Sequence, residues 1–201
     1  MIITTDILKA IAPGSKKTGG KHLPGLALWM NHWFPGFKID TIGELCHFIS
    51  QAAHETDSFN ALEEYATGDA YDTRTDLGNT PQKDGDGRKL KGRGIFMTTG
   101  ALNYKKATLE WNEDFPENKI DFFVTPELLE LPEYAVWSAC QYWSQRSLDL
   151  IANMGDDRRV WVNRLNRYLY PLEYITWRIN GGFNGLSERK KFYERAKSII
   201  V

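Results

Sequence analysis

The chain has 201 residues, a net charge of −1, and a composition that is 42% hydrophobic and 13% aromatic. That length suits a single domain, or one domain with a small lobe, and the apolar content can bury a sizeable core, which excludes a disordered chain. The near-zero net charge gives no global signal for nucleic acid, and the absence of any run of 18 apolar residues excludes a transmembrane helix.

In chain order, Thr5-Asp6 can cap a short helix carrying Ile7, Leu8 and Ile11, which stops before Pro13-Gly14. Residues 14–21 read as a Gly/Lys/Ser loop. A second helix follows Pro24 and ends near Pro35-Gly36. The third is the clearest. Thr41 with Glu44 three residues on has the form of a capping box, and Ile42, Leu45, Ile49 and Ala52 recur at helical spacing until His54-Glu55-Thr56. Residues 59–93 are crowded with Gly, Asp, Asn and Pro and predict a long loop with two or three short strands, a length that usually signals function.

Helical character returns from Leu102 to Trp111 and from Pro132 to Trp143, and a further helix is predicted over Val160 to Leu169. Tyr174 to Ile179 leads into a turn at Asn180-Gly181-Gly182. The last helix sets Phe192, Tyr193, Ala196, Ile199 and Ile200 against a Lys/Arg face. The fold class expected is mainly α with some β: one domain over 1–201, with a small strand-containing lobe and loops over about 57–93.

Cys46 and Cys140 both fall in apolar helical patterns and read as two buried free thiols, without metal-type spacing or a disulfide framework. From Arg158 to Val201 there are ten Lys and Arg against three Glu, a balance of +7 that leaves −8 on the rest. Such a basic end suits contact with an anionic envelope, or is simply a solvated helix face. Met1 to Asp6 has no basic region followed by a long apolar run, so no signal peptide is expected.

The chemistry points to carboxylates. Glu55 stands where the capped helix ends; the field of a helix C-terminus and partial burial both disfavour a charged carboxyl there, as a general acid requires. Glu63 and Glu64 follow in the loop. Hydrolysis of a glycoside needs a second carboxylate, either to activate water or to act as nucleophile. Other chemistries fit worse. Ser58 stands four after His54 where a zinc-protease helix needs His. Asp84-Gly85-Asp86-Gly87 begins like a calcium loop, but its twelfth position is Ile95 in place of Glu, so it reads as a turn. No phosphate loop and no nucleophile elbow occur.

Five separated segments then carry a resemblance. They are His54-Glu55-Thr56 with Leu62-Glu63-Glu64-Tyr65; Gly68-Asp69-Ala70-Tyr71 through Asp84-Gly85-Asp86-Gly87; Lys91-Gly92-Arg93-Gly94 through Gly100 with Asn103-Tyr104; Ser138 through Trp143; and Ile179-Asn180-Gly181-Gly182 through Gly185. In this order they resemble the chitinase-like glycoside hydrolases of family 19, especially their bacteriophage endolysin branch, over roughly residues 42–197.

The resemblance implies a lysozyme-like, two-lobed helical fold with a cleft, and an inverting mechanism without metal or cofactor. Glu55 is then the acid and Glu64 the base, on opposite cleft walls and about 6.5–9.5 Å apart as inverters require. Thr99 helps hold the attacking water. Asn103 and Asn180 match sugar-binding amides, Arg93 a cleft-shaping residue, and Arg189 an arginine that contacts the cleft carboxylates. His54, Tyr65 and Tyr104, from the same motifs, join the expected substrate-binding set. One departure is Met97, where the family usually has a sugar-binding Gln. The segment Arg158 to Tyr174 also looks longer than usual.

The function expected is an endolysin-type peptidoglycan hydrolase cutting β-1,4 linkages. The alternatives are a chitinase acting on poly-N-acetylglucosamine and a catalytically silent glycan-binding protein. The expected partner is the peptidoglycan strand, met by a monomer made in the host cytoplasm and released to act on the wall in the periplasm, with envelope contact through the basic end and no nucleic acid.

Overall fold

A computed structural model describes residues 1–201 as nine α-helices and one β-hairpin. The helices are α1 Thr5–Ile11, α2 Leu23–Gly36, α3 Ile42–Glu55, α4 Asp86–Lys89, α5 Ala101–Asp114, α6 Pro132–Gln145, α7 Leu148–Ala152, α8 Pro171–Asn180 and α9 Leu186–Ile199; the strands are β1 Val160–Val162 and β2 Arg167–Leu169. The fold is mainly helical, as expected, and no helix is long and apolar enough to cross a membrane. The chain divides into two compact units, residues 1–60 with 140–201, and residues 61–139.

The first unit is built on α3. Its capping box is present: Thr41 Oγ1 accepts from the Glu44 N–H at 3.2 Å, and Glu44 Oε2 accepts from the Thr41 N–H at 3.0 Å. Glu44 Oε1 also accepts from Asn153 Nδ2 at 2.8 Å, which ties the helix start to the end of α7. Every residue of α3 from Glu44 to Ala53 is buried, the mark of a central helix wrapped on all sides. Helices α1, α7, α8 and α9 pack around it. Phe48 lies against Phe34 and Trp143, with ring centroids 4.9 and 5.3 Å away. Cys46 and Cys140 are buried free thiols, and burial pushes the Cys46 thiol up to about 11.

The second unit has an aromatic core. The buried Trp111 ring of α5 meets Phe115, Tyr134 and Trp137 at 4.3, 5.0 and 5.1 Å, the last two edge to face. Such edge-on pairs satisfy the ring quadrupole. Residues 68–90 form turns and short helices. Asp72 Oδ1 accepts from the Gly85 and Gly87 N–H groups at 3.0 and 2.9 Å; the Asp84–Gly87 stretch, expected as a turn, is a bend at Asp84-Gly85 that leads into α4, tied down by a carboxylate from the same loop.

Two elements differ from expectation. The 59–93 region contains no strand; only isolated bridges form, Glu63 with Arg93 and Arg93 with Thr98. Its Asp and Asn side chains bond the local backbone and its glycines admit turn conformations, leaving few residues for a ladder. The helix predicted over Val160 to Leu169 is instead the β1–β2 hairpin, antiparallel with Trp161 opposite Tyr168. Val160-Trp161-Val162 is β-branched and aromatic, and Asn166 takes the left-handed conformation (φ 50°) that turns the chain back.

Candidate functional site

In the first unit, Glu55 is the last residue of α3. Its Oε1 accepts from Arg189 Nη2 at 2.5 Å. Arg189, on α9, is fully buried. It also donates through Nη1 to Gln51 Oε1 at 2.5 Å and through Nε to the Asn184 carbonyl at 3.2 Å. Gln51 in turn donates to Thr176 Oγ1 of α8 at 3.0 Å. Arg189, Gln51 and Thr176 from three helices, with Asn184 from the turn before α9, thus fix the Glu55 carboxyl. Burial pulls the guanidinium of Arg189 below its ordinary value, and Glu55 opposes that pull.

His54 is held from the same helix pair: its Nδ1 lies 2.6 Å from Glu188 Oε2. The turn entering α9 brings Gly185 against the imidazole so closely that a Cβ there would stand 1.9 Å from His54 Cε1 (φ +71°), so only glycine fits. Asn180 ends α8 with its side chain exposed.

In the second unit, residues 62–64 run beside 92–94. The Glu64 N–H donates to the Gly92 carbonyl at 2.9 Å and the Gly94 N–H to the Leu62 carbonyl at 2.9 Å. In this extended pairing neighbouring side chains alternate. Glu63 turns to Lys91 and Arg93, at 3.0 and 3.1 Å. Glu64 turns the other way: Oε1 accepts from the Tyr71 hydroxyl at 2.8 Å and Oε2 from the Gly92 N–H at 3.0 Å.

Thr99 lies on this same side. A Cβ on Gly92 would stand 3.1 Å from Glu64 Oε2 and 3.3 Å from Thr99 Oγ1, so carboxylate and hydroxyl flank the bare Gly92 backbone. Thr99 Oγ1 donates to the Met97 carbonyl at 2.8 Å, which leaves its lone pairs to accept from a guest molecule.

Arg93 is the buried organiser of this half. It donates to Glu130 Oε1 at 2.7 Å, the Lys89 carbonyl at 2.7 Å, the Tyr104 hydroxyl at 3.2 Å and Glu63 Oε1 at 3.1 Å. Tyr104 is completely buried and donates to the Lys91 carbonyl at 2.7 Å. Its ring is therefore not offered as a surface for a sugar, and it serves to position Lys91 and Arg93. Asn103 donates to the Thr99 carbonyl at 2.7 Å, and the Tyr65 side chain is 76% exposed.

The structure thus gathers His54, Glu55 and Arg189 in one unit, and Glu64, Thr99, Arg93, Asn103 and Tyr104 in the other. No group of three or more His, Cys, Asp or Glu side chains is arranged to hold a metal ion.

The fold is shared with solved structures. A bacterial family 19 chitinase superposes with a TM-score of 0.59 at 18% identity, over 100% of this chain and 95% of that one. Chitinase C from Streptomyces griseus gives 0.61 at 16% identity, over 99% and 92%. A class IV family 19 chitinase from Zea mays gives 0.61 at 17%, over 99% and 92%. In sequence, the chain is 34% identical over 118 residues to a glycosyl hydrolase family 19 domain-containing protein of Haemophilus influenzae. The chain thus shares its fold with solved family 19 chitinases and part of its sequence with a family 19 relative. That sequence match spans 58% of this chain and 46% of the relative, about half its length. No family model matches the chain.

Several members of the two clusters were not singled out from sequence. Gln51 precedes Glu55 by one helical turn, and that spacing alone places the two on one face of α3. Tyr71 lies inside one of the segments that resemble family 19, and only the hydrogen bond to Glu64 reveals its part. Glu188 adjoins Arg189 but points to His54. Gly92 has no side chain to notice; the close approach of Glu64 and Thr99 is what singles it out.

Proposed function

We propose that this chain is a glycosidase of the endolysin type that cleaves β-1,4 linkages of the peptidoglycan glycan strand by an inverting acid–base mechanism. The observation that carries this reading is the arrangement of Glu64 and Thr99 about Gly92. A carboxylate oriented by Tyr71 and a backbone N–H, beside a hydroxyl whose own proton is committed to Met97, suits the holding of one water. The water donates one proton toward Glu64, the general base, and the other toward Thr99, which aims its lone pair at the anomeric carbon.

Glu55 supplies the other half of the chemistry. Protonated, it gives its proton to the departing glycosidic oxygen. The carboxylate left behind is then stabilised by Arg189, already at hydrogen-bond distance and held by Gln51 and Asn184. A guanidinium fixed in this way needs no rearrangement as charge develops.

Chitin is the second reading, and the solved structures of shared fold favour it, since they are chitinases. Incubation with purified peptidoglycan and with chitin oligomers, followed by product identification, separates the two. Glu55→Gln keeps shape and removes the proton, so the rate should fall by at least about 10²-fold with the thermal melt preserved. A folded variant retaining more than about a tenth of the parent rate removes Glu55 from the acid role, since even the low end of general acid catalysis exceeds that loss. Proton NMR of the first product, before mutarotation, should show the α-anomer. An initial β-anomer would make Glu64 a nucleophile instead of a base.

A further inference from the structure

The β1–β2 hairpin carries a face that nothing in the catalytic chemistry uses. Val162 and Leu169 are buried and fasten it to the first unit; a two-stranded ribbon needs such anchoring to persist. The register, Val160 opposite Leu169 and Trp161 opposite Tyr168, sends the alternate residues outward. Trp161, Tyr168 and Tyr170 are 46%, 56% and 47% exposed.

These rings are ordered. Trp161 and Tyr168 pack edge to face with centroids 5.0 Å apart. Trp161 Nε1 donates to Asn163 Oδ1 at 2.6 Å, which fixes the indole plane. Arg159 lies over the Tyr168 and Tyr170 rings at 5.5 and 5.9 Å.

The charge is one-sided. Residues 158–170 contain four arginines, no lysine and no acidic residue. Arg167 approaches Glu173 at 3.9 Å, whereas Arg158, Arg159 and Arg164 are exposed. Guanidinium suits planar, bidentate anions such as carboxylates. The outward strand positions carry the rings of Trp161 and Tyr168, and the connecting turn exposes the Asn163 and Asn166 amides, so the face is not aliphatic. That composition disfavours insertion into a lipid layer, which requires a buried apolar face, and favours a hydroxyl-rich polymer bearing negative charge.

We infer that the outward face of this hairpin is a docking surface for a carboxylate-bearing amino-sugar strand. The rings of Trp161 and Tyr168 pack on pyranose faces while Arg159 and Arg164 pair with the carboxylates. That the anion is a glycan rests on the glycosidase reading above; the cationic aromatic face does not.

The test is co-sedimentation of the full chain carrying Glu55→Gln, so that binding is read without turnover. The solids are purified peptidoglycan, neutral chitin, and vesicles of phosphatidylcholine with phosphatidylglycerol. The hairpin variant adds Trp161→Ala, Arg159→Gln and Arg164→Gln, with a thermal melt to confirm folding. Tyr168→Ala alone is the milder second variant.

The parent should bind peptidoglycan better than chitin. The triple change should weaken peptidoglycan binding by about tenfold, as expected for a few exposed contacts of modest size each. High salt should narrow the difference, and the same hairpin changes in the active chain should leave the rate on short soluble oligomers unaltered. Equal binding by parent and folded variants overturns the inference, as does equal affinity for chitin or capture by the vesicles alone. A chain with Glu55 intact that docks but never cleaves sinks the glycosidase reading and leaves the docking face standing.

Discussion

Gly92 shows how much of the Glu64–Thr99 cluster depends on a single hydrogen atom. With Glu64 Oε2, Met97 Cβ and Thr99 Oγ1 only 3.1, 3.1 and 3.3 Å from a notional Cβ, Gly92→Ala forces the carboxylate and hydroxyl apart by a few tenths of an ångström. Small misplacements of reacting groups can cost up to about 10²-fold in rate. The variant should thus lose at least about tenfold in turnover while its melting temperature changes little; unaltered turnover would mean that this space holds no reacting water.

The two neighbouring glutamates should separate as cleanly. Glu64→Gln leaves a side chain that accepts from Tyr71 but cannot take a proton, so most activity should vanish. Glu63→Gln gives up ion pairs at a side chain that is 39% exposed, and Arg93 keeps Glu130, Lys89 and Tyr104. Its activity loss should be mild, since partly exposed pairs contribute little. The opposite ranking, read from initial rates of both folded variants, would transfer the base role to Glu63.

Among the elements, the α3–α9 packing holds a titratable weak point. The buried His47 ring stacks on Tyr193 with centroids 4.3 Å apart, and neither ring nitrogen has a hydrogen-bond partner. Burial lowers its pKa from 6.5 to about 4, with Asp156 opposing and Lys197 assisting. Between those values the unfolded chain binds a proton that the folded one refuses. The stability this contributes is complete above about pH 6.5 and disappears as the pH falls towards 4, a difference of about 3 kcal/mol. Urea melts at pH 7.5 and 4.5 should show the parent losing about 2–3 kcal/mol more than His47→Phe over that interval. Equal losses would show that the imidazole finds a proton partner in the fold.

Elements also explain what the sequence could and could not tell. Helix α3 was legible because Thr41, Glu44 and the apolar spacing all express one local rule. The hairpin was not, because Val160 to Leu169 has apolar residues at spacings that also fit a helix. What decides is the left-handed Asn166 and the burial of Val162 and Leu169, both set by tertiary context. Glu55 was legible as the end of a capped helix, whereas its partner Gln51 and the Tyr71–Glu64 bond belong to packing and have no local signature.

At the scale of the molecule, charge is the property that composition hides. A net −1 conceals +7 over residues 158–201 and −8 over the rest. Part of the basic end is already engaged: Lys197 pairs with Asp156 at 2.5 Å, and Arg189 is buried against Glu55. Lys190 and Lys191, on α9, remain exposed. Exposed charges act on a large anionic surface through attraction that extends about 10 Å at 0.1 M salt and shrinks as salt rises. Lys190→Gln with Lys191→Gln should therefore leave turnover on short soluble fragments unaltered, because neither lysine touches the carboxylates. On whole envelopes the double variant should be slower at low salt, and the gap to the parent should close as salt is added. Equal rates on envelopes at low salt would make these lysines an ordinary solvated helix face, and would leave any attraction to the envelope to the arginines of the β1–β2 hairpin.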